Sequence, residues 1–172
     1  MKTSTRKTRA IQRKPTRVST NPSAPRTSVD NKGAVILVAV DFSSDSKKAL
    51  SKAAELADIH NASLAVVHVM DGIYRPGSLE SRQLGKLKGD ARERAKRELV
   101  AFVKGEIDPN QKAKLILRSG TPHEEIVDAA KSQNAGLVII GSRGNRGLKR
   151  MLLGSTAERV VRLSGCPVLV VR

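Results

Sequence analysis

Five short apolar runs, separated by segments with helical spacing, are the feature that most constrains how this chain folds. The runs cover residues 34–40, 64–70, 114–118, 137–140 and 167–171. Helical segments are predicted from about 44 to 60, from about 80 to 104, from 121 onward and from about 155 to 163. Uninterrupted apolar runs are typical of strands covered on both faces, and strands that alternate with helices form parallel sheets with right-handed crossovers. The sequence therefore predicts an α/β fold with an open, doubly wound, five-stranded parallel sheet.

The composition fits such a core and limits where the protein works. With two Phe, one Tyr and no Trp, the core must be aliphatic. The one cysteine, Cys166, leaves no intrachain disulfide, which fits a reducing compartment. No apolar run approaches the roughly 18 to 20 residues that a membrane span requires, and no apolar run follows the basic N-terminus as in a secretory signal. We therefore expect a cytoplasmic protein without a membrane partner.

The first 33 residues differ from the rest of the chain. They hold nine Lys or Arg residues and a single acid, Asp30, and so contribute half of the net charge of +16. They are rich in Thr, Ser and Pro and have no hydrophobic period, so they cannot bury enough apolar area to offset the entropy of ordering. We predict a disordered basic extension over residues 1–33 and one domain over residues 34–172. The extension could bind nucleic acid or another acidic partner, act as an organelle transit peptide, contact nucleotide phosphates, or have no specific partner.

Capping residues predict where two of the helices begin and end. Ser43 or Ser44 is suited to begin the first helix, and Asn61 to end it. Thr121 with Glu124 predicts a capping box at the start of a later helix.

A glycine-rich segment from Gly141 to Ser155 joins the fourth apolar run to the last helical segment. A helix N-terminus offers backbone N–H groups and the positive end of the helix dipole, which both favour an anion. Glycine permits positive φ angles and a close approach of backbone to phosphate, and Ser155 can either donate to a phosphate or cap the helix. Four basic residues add positive charge: Arg143, Arg146, Lys149 and Arg150. Neither the P-loop pattern nor G-x-G-x-x-G occurs, so the segment alone leaves a phosphate site and a simple turn as open interpretations.

Other candidate residues lie at the predicted strand ends, where open parallel sheets bind ligands. The groups available there are Asp41, residues 69–71 and the residues from Gly141 onward. His68, on a strand, is predicted to be a structural histidine, and His123, in the first turn of a helix, a surface residue. No His and Cys cluster has metal-ligand spacing, and no nucleophile with its base can be assembled. The sequence therefore predicts a binding site and no catalytic residue.

The spacing of the loop resembles that of a known family. Gly141-x-x-Gly144, nine residues and then Gly154-Ser155 is similar to the loop of the ATP-binding branch of the universal stress protein family. Further motifs match in order: Val40-Asp41-Phe42-Ser43, Val67-His68-Val69, Gly120-Thr121-Pro122-His123-Glu124-Glu125-Ile126 and Cys166-Pro167-Val168-Leu169-Val170-Val171. The resemblance covers roughly residues 34–172 and implies an adenine-nucleotide α-hydrolase-like fold with strand order 3-2-1-4-5.

The resemblance also implies a ligand, the residues that bind it and a partner. ATP with Mg²⁺ is the implied ligand. The resemblance implies that adenine and ribose lie against Ala39, Val40 and Asp41, that the Val69 backbone hydrogen-bonds adenine, and that Ile140 and Gly141 lie beside the ribose. The residues implied at the phosphates are Gly144, Gly154, Ser155 and Thr156, with Arg143 as a nearby charge. Members of this branch commonly form homodimers through the last strand, which here is residues 167–171.

The function that follows is an ATP-binding stress-response regulatory protein, with nucleotide occupancy coupled to dimerisation or partner binding. One alternative is a slow Mg²⁺-dependent ATPase that uses the same loop. Another is a nucleic-acid-associated protein tethered by residues 1–33. The lack of an evident catalytic group favours the regulatory protein. The expected compartment is the cytoplasm, with an organelle as the alternative if residues 1–33 are a transit peptide.

Overall fold

The computed structural model describes residues 34–71, 81–144 and 153–172, with only the backbone of residues 81–88. Within these ranges the chain forms five strands and four helices. The strands are β1 (Val35–Val40), β2 (Ser63–Asp71), β3 (Ala113–Gly120), β4 (Ala135–Gly141) and β5 (Val168–Val171). The helices are α1 (Ser44–His60), α2 (Ser81–Lys104), α3 (Pro122–Ser132) and α4 (Ser155–Leu163). The predicted alternation of strands and helices is confirmed.

The strands form one parallel sheet in the order β3-β2-β1-β4-β5. β1 lies at the centre, where Val40 pairs with His68 of β2, and Ala39 pairs with Ile140 of β4. The chain leaves β1 toward β2 and β3 and then crosses to β4 and β5. The strand order therefore reverses beside β1, and the resulting crevice between the carboxyl ends of β1 and β4 is where folds of this type bind ligands. The predicted five-stranded sheet and its order are confirmed.

Helices cover both faces of the sheet and create two aliphatic layers. Side chains of α1 and α2, such as Leu50 and Leu99, pack with Val38 on one face. Side chains of α3 and α4, such as Val160, pack with Leu37 on the other face. Leu37 and Val38 are neighbours that point to opposite faces, yet both are 0% exposed. This double coverage explains why the strands are continuous apolar runs without alternation.

Three strands, β2, β3 and β4, are longer than predicted, and β2 gains one residue at each end. β3 extends to Gly120 because its pairing with β2 continues as far as Asp71, one residue beyond the predicted second run. β4 begins at Ala135, two residues before the apolar run, because Ala135 already pairs with Val35 of β1. Backbone pairing with a neighbouring strand decides these ends, and polar residues can take part in it.

The helix ends confirm both predicted caps of α1 and correct the predicted capping box of α3. Ser43 caps α1, its Oγ accepting from the Ser46 amide at 3.2 Å, and Asn61 ends the helix with a left-handed φ of 50°. Thr121 is the N-cap of α3, but its side chain makes no capping hydrogen bond, so the predicted capping box with Glu124 is wrong. The start of α3 is instead set by Pro122 at its first position, where a missing N–H costs nothing.

Several predictions fall on residues outside the described ranges. These are the basic extension over residues 1–33 and the charges of Arg146, Lys149 and Arg150. None of the helices within the described ranges is long and apolar enough to cross a membrane.

Candidate functional site

A cavity of about 610 Å³ opens beyond the carboxyl ends of the strands, at the first turns of α3 and α4. All eleven residues that the sequence analysis selected line it: Ala39, Val40, Asp41, Val69, Ile140, Gly141, Arg143, Gly144, Gly154, Ser155 and Thr156. They come from four separate segments of the chain and meet only through the sheet order. Their role in holding a nucleotide stays a prediction. The volume lies within the roughly 300 to 1,000 Å³ that is usual for small-molecule sites.

The floor of the cavity is apolar and is built from alternate residues of neighbouring strands. Ala39, Val67 and Ile140 pack in the α3/α4 layer, with Val69 at its edge. Ile126 of α3 closes the layer from the other side. Ala39 has the smallest of these side chains, and it lies on the central strand. Such a floor suits a flat, weakly polar group such as a nucleobase.

Asp41 stands where β1 ends, in a tight turn that leads into α1. Its Oδ1 accepts from the Ser43 amide at 3.1 Å. Phe42, between them, has a left-handed φ of 65°, which is strained for a bulky residue. The Phe42 ring lies 4.3 Å from the ring of His68 and 5.3 Å from that of Phe102. The turn thus keeps Asp41 at the cavity while Ser43 caps α1.

His68 has the structural role that the sequence analysis predicted. Its Nδ1 lies 2.8 Å from the carbonyl oxygen of Val40, on the neighbouring strand. The ring is partly buried under Phe42. His68 therefore ties the carboxyl ends of β1 and β2 together at the cavity edge.

The described loop glycines allow close approach and have ordinary φ angles. In the described part of the chain, Gly120 is the only glycine with a positive φ, so Gly141, Gly144 and Gly154 do not use the positive φ that glycine permits. A Cβ on Gly141 would lie 2.8 Å from the backbone carbon of Asp45. A Cβ on Gly144 would lie 2.5 Å from Oδ2 of Asp41.

The two described ends of the loop meet at the start of α4. The Gly154 amide donates to the carbonyl oxygen of Ser142 at 2.7 Å, and the Ser142 amide donates to the carbonyl oxygen of Val171 at 2.6 Å. Gly154 is the N-cap of α4 and Ser155 its first residue, so Ser155 does not cap the helix. A glycine cap has no side chain to occupy the amides of the first turn, which lie at the cavity wall. This end of the cavity therefore suits an anion.

A buried carboxylate beneath the loop was not found from the sequence. Asp45, in the first turn of α1, is only 4% exposed. It accepts from Oγ of Ser142 at 3.0 Å and from Nε of Arg143 at 3.2 Å, and Nζ of Lys48 lies 4.0 Å away. Burial by itself raises the pKa of this carboxyl, but the hydrogen bonds from Ser142 and Arg143 and the nearby positive charges outweigh it and lower the pKa. In the sequence, Asp45 looks like an ordinary acid at a helix N-terminus.

The cavity wall formed by α3 and α4 contains further residues that were not assigned to the site from the sequence. Thr121, Pro122 and His123 line the cavity from the start of α3, and Arg159 lines it from α4. His123 was predicted to be a surface residue, but it is half-buried in the cavity wall. Two signals could have found these residues. In a parallel sheet the helix after β3 starts at the same edge as the other strand ends, and Arg159 lies four residues after Ser155 on one helix face.

Metal ligands are scarce at the site. Across the described ranges, no group of three His, Cys, Asp or Glu residues could hold a metal ion.

Comparison with known proteins identifies the family. The family model described as the universal stress protein family matches residues 34–172. Universal stress protein YxiE of Bacillus subtilis is 33% identical over 80% of this chain and 97% of its own length. The structure of MJ0577 of Methanocaldococcus jannaschii shares 32% identity, with a TM-score of 0.67 over 81% of this chain and 95% of its own.

A universal stress protein solved in complex with cAMP has the same fold. Its TM-score is 0.58 at 23% identity, over 81% of this chain and 97% of its own. With one family model matched from residue 34 to residue 172 and relatives above 30% identity along nearly their whole length, this chain belongs to the universal stress protein family.

Proposed function

We propose that this protein binds ATP or a related adenine nucleotide in the cavity at the carboxyl ends of β1, β2 and β4. The observation that carries the proposal is the meeting of the eleven selected residues around one cavity, apolar at its floor and cationic at the α4 end. That the fold has been solved with cAMP in another universal stress protein supports adenine nucleotides as the class to test first.

The cavity offers a distinct environment for each part of the nucleotide. The base would lie on the floor of Ala39 and Ile140, with the backbone of Val69 as its hydrogen-bonding partner. The ribose hydroxyls would face the carboxylate of Asp41. The phosphates would lie at the loop glycines and at the α4 N-terminus, where Ser155 and Thr156 supply hydroxyls and backbone N–H groups.

Magnesium fits this site only as an ion that the nucleotide brings. Mg²⁺ usually keeps several waters and is bound through one or two protein oxygens together with phosphates. The described residues offer no cluster that would hold the ion without a nucleotide. The hydroxyls of Ser155 and Thr156 lie at the phosphate end of the cavity and would approach a phosphate-bound Mg²⁺. The ion would neutralise part of the phosphate charge.

Coupling between nucleotide occupancy and self-association has a physical route in this chain. β5 is an edge strand, and Leu169 on it is 37% exposed. Val161 and Leu163 of the neighbouring helix are also exposed, at 46% and 55%. Ser142 lines the cavity and donates its amide to Val171 of β5. A ligand that orders Ser142 would therefore also order the edge through which two copies could pair.

Calorimetric titration of the full chain with ATP and Mg²⁺, and separately with adenosine, tests this function. Asp41→Ala should weaken both ligands because it removes the carboxylate that faces the ribose. Asp90→Ala, which removes an exposed carboxylate on α2, is the matched control and should change neither affinity. Failure of the wild-type chain to bind ATP, ADP or AMP, or full affinity in Asp41→Ala, would refute the assignment. Sedimentation with and without ATP tests the coupling, and an unchanged mass distribution would refute that part.

A further inference from the structure

Asp45 lies behind the cavity wall, where it does not line the cavity itself. It is the second residue of α1 and is 4% exposed. Its Oδ2 accepts both hydrogen bonds from the loop, from Ser142 and from Arg143, while Oδ1 faces Lys48 at 4.0 Å. These two donors are 97 and 98 residues away in the chain. A buried carboxylate is costly unless it is paired, so these contacts are what allows Asp45 to be buried as a charged group.

Ser142 connects Asp45 to the rest of the loop. Its Oγ donates to Asp45, its amide donates to Val171 of β5, and its carbonyl accepts from the Gly154 amide. Gly154 is the N-cap of the helix whose first turn faces the cavity. A side chain fixed at Ser142 therefore holds the described ends of the loop together at the α4 N-terminus.

Arg143 is held by the same carboxylate. A guanidinium is planar, so a hydrogen bond at Nε fixes the plane in which its other donors lie. Ser43, two residues before Asp45, adds a longer hydrogen bond of 3.4 Å from its Oγ to the carbonyl oxygen of Arg143. The backbone of Arg143 is thus tied to the N-cap of α1, and its side chain to the first turn of that helix.

We propose that Asp45 is a positioning residue for the phosphate end of the site: it holds Ser142 and Arg143 in place without touching the ligand. The inference rests on the proposed function, since it assigns the loop to phosphate binding. Two residues of the β1–α1 junction would then contribute to nucleotide binding in different ways. Asp41 serves the nucleoside directly, and Asp45, four residues later, serves the phosphates through the loop.

The proposal predicts a split between two ligands. Asp45→Asn keeps the size of the side chain but loses the charge, and hydrogen bonds to charged groups are the stronger ones. ATP affinity should fall by about tenfold or more, whereas adenosine affinity should change less than about threefold. Lys48→Gln is the matched control, because it removes the other cation near Asp45 without touching the loop. It should leave both affinities unchanged.

A second measurement does not depend on the nucleotide. Hydrogen exchange of the full chain, read by mass spectrometry without ligand, should be faster around Ser142 and Gly154 in Asp45→Asn than in Lys48→Gln. Exchange in α3 should be the same in both variants. If Asp45→Asn does not fold, Ser142→Ala removes the same contact from the other side and takes its place.

The outcomes separate this inference from the function on which it rests. If the wild type binds no adenine nucleotide, the proposed function fails, and the exchange comparison alone decides whether Asp45 holds the loop. If the wild type binds ATP, equal losses of ATP and adenosine affinity in Asp45→Asn would overturn the positioning role. Unchanged exchange around Ser142 and Gly154 would overturn it in either case.

Discussion

The contact between Gly141 and α1 predicts that a single methyl group at this position destabilises the fold. A Cβ on residue 141 would lie 2.8 Å from the backbone carbon of Asp45, 2.9 Å from the Ser46 nitrogen and 3.0 Å from the Asp45 carbonyl oxygen. Carbon atoms pack at about 3.5 to 4.0 Å, so the first turn of α1 would have to move by about 0.7 Å. These are backbone atoms of a helix, and no rotamer change can relieve the clash.

Gly136, on the same strand, provides a matched control. A Cβ there has nothing within 4 Å, and its φ does not lie in the left-handed region. Glycine to alanine stabilises a protein by about 0.4 to 1 kcal/mol through the unfolded chain when the site accepts it. This contribution is common to Gly141→Ala and Gly136→Ala and cancels between them. The difference between the variants is then the overpacking cost, about 1 to 3 kcal/mol, or roughly 3 to 12 °C in Tm for a domain of this size.

Urea unfolding followed by far-UV circular dichroism measures the difference, since the chain has no Trp to report by fluorescence. Gly141→Ala should unfold at a lower urea concentration than the wild type, and Gly136→Ala at the same concentration or a higher one. Equal free energies of unfolding for the two variants would refute the argument, because α1 would then tolerate a side chain at the end of β4.

Three further predictions follow from other contacts at the site. Gly144→Ala should leave stability nearly unchanged, since the clashing atom is the movable end of the Asp41 side chain. It should lower the affinity for adenosine as much as Asp41→Ala does. Calorimetry measures this affinity, and an affinity equal to that of the wild type would contradict the prediction. Phe42→Ala should destabilise the fold more than Phe42→Gly, because both variants lose the ring contacts but only glycine relieves the strained φ of 65°. Chemical unfolding of both variants measures the difference, and a more stable Phe42→Ala would show that the φ is not strained. The pKa of Asp45 is lower in the folded chain than in the unfolded one, so its stabilisation is complete above about pH 4 and is lost as the pH falls through the lower folded value. The stability difference between the wild type and Asp45→Asn should therefore shrink below about pH 4 in acid titrations, and a difference that stays constant with pH would exclude this linkage.

The sequence by itself determined the succession of strands and helices in this protein. Apolar runs such as residues 34–40 and helical spacing such as that of α1 can be recognised from local sequence alone. Because both faces of the sheet are buried, each strand is by itself an uninterrupted apolar run. Strand ends such as Asp41 and Gly141 were also predicted as candidates from the sequence, because they meet at one edge once the sheet is parallel. The full set of site residues came from the resemblance to the universal stress protein family.

Only the tertiary structure shows which contacts explain the residue types at the site. Gly141 lies against backbone atoms of Asp45, and Gly144 lies against the carboxylate of Asp41, about a hundred residues earlier in the chain. Asp45 is buried because Ser142 and Arg143 pair with it, and His123 faces the cavity because α3 begins beside β2. Close approach and the pairing of buried charges depend on which distant segments meet in the folded protein. The spacing of residues along the sequence does not show which segments these are.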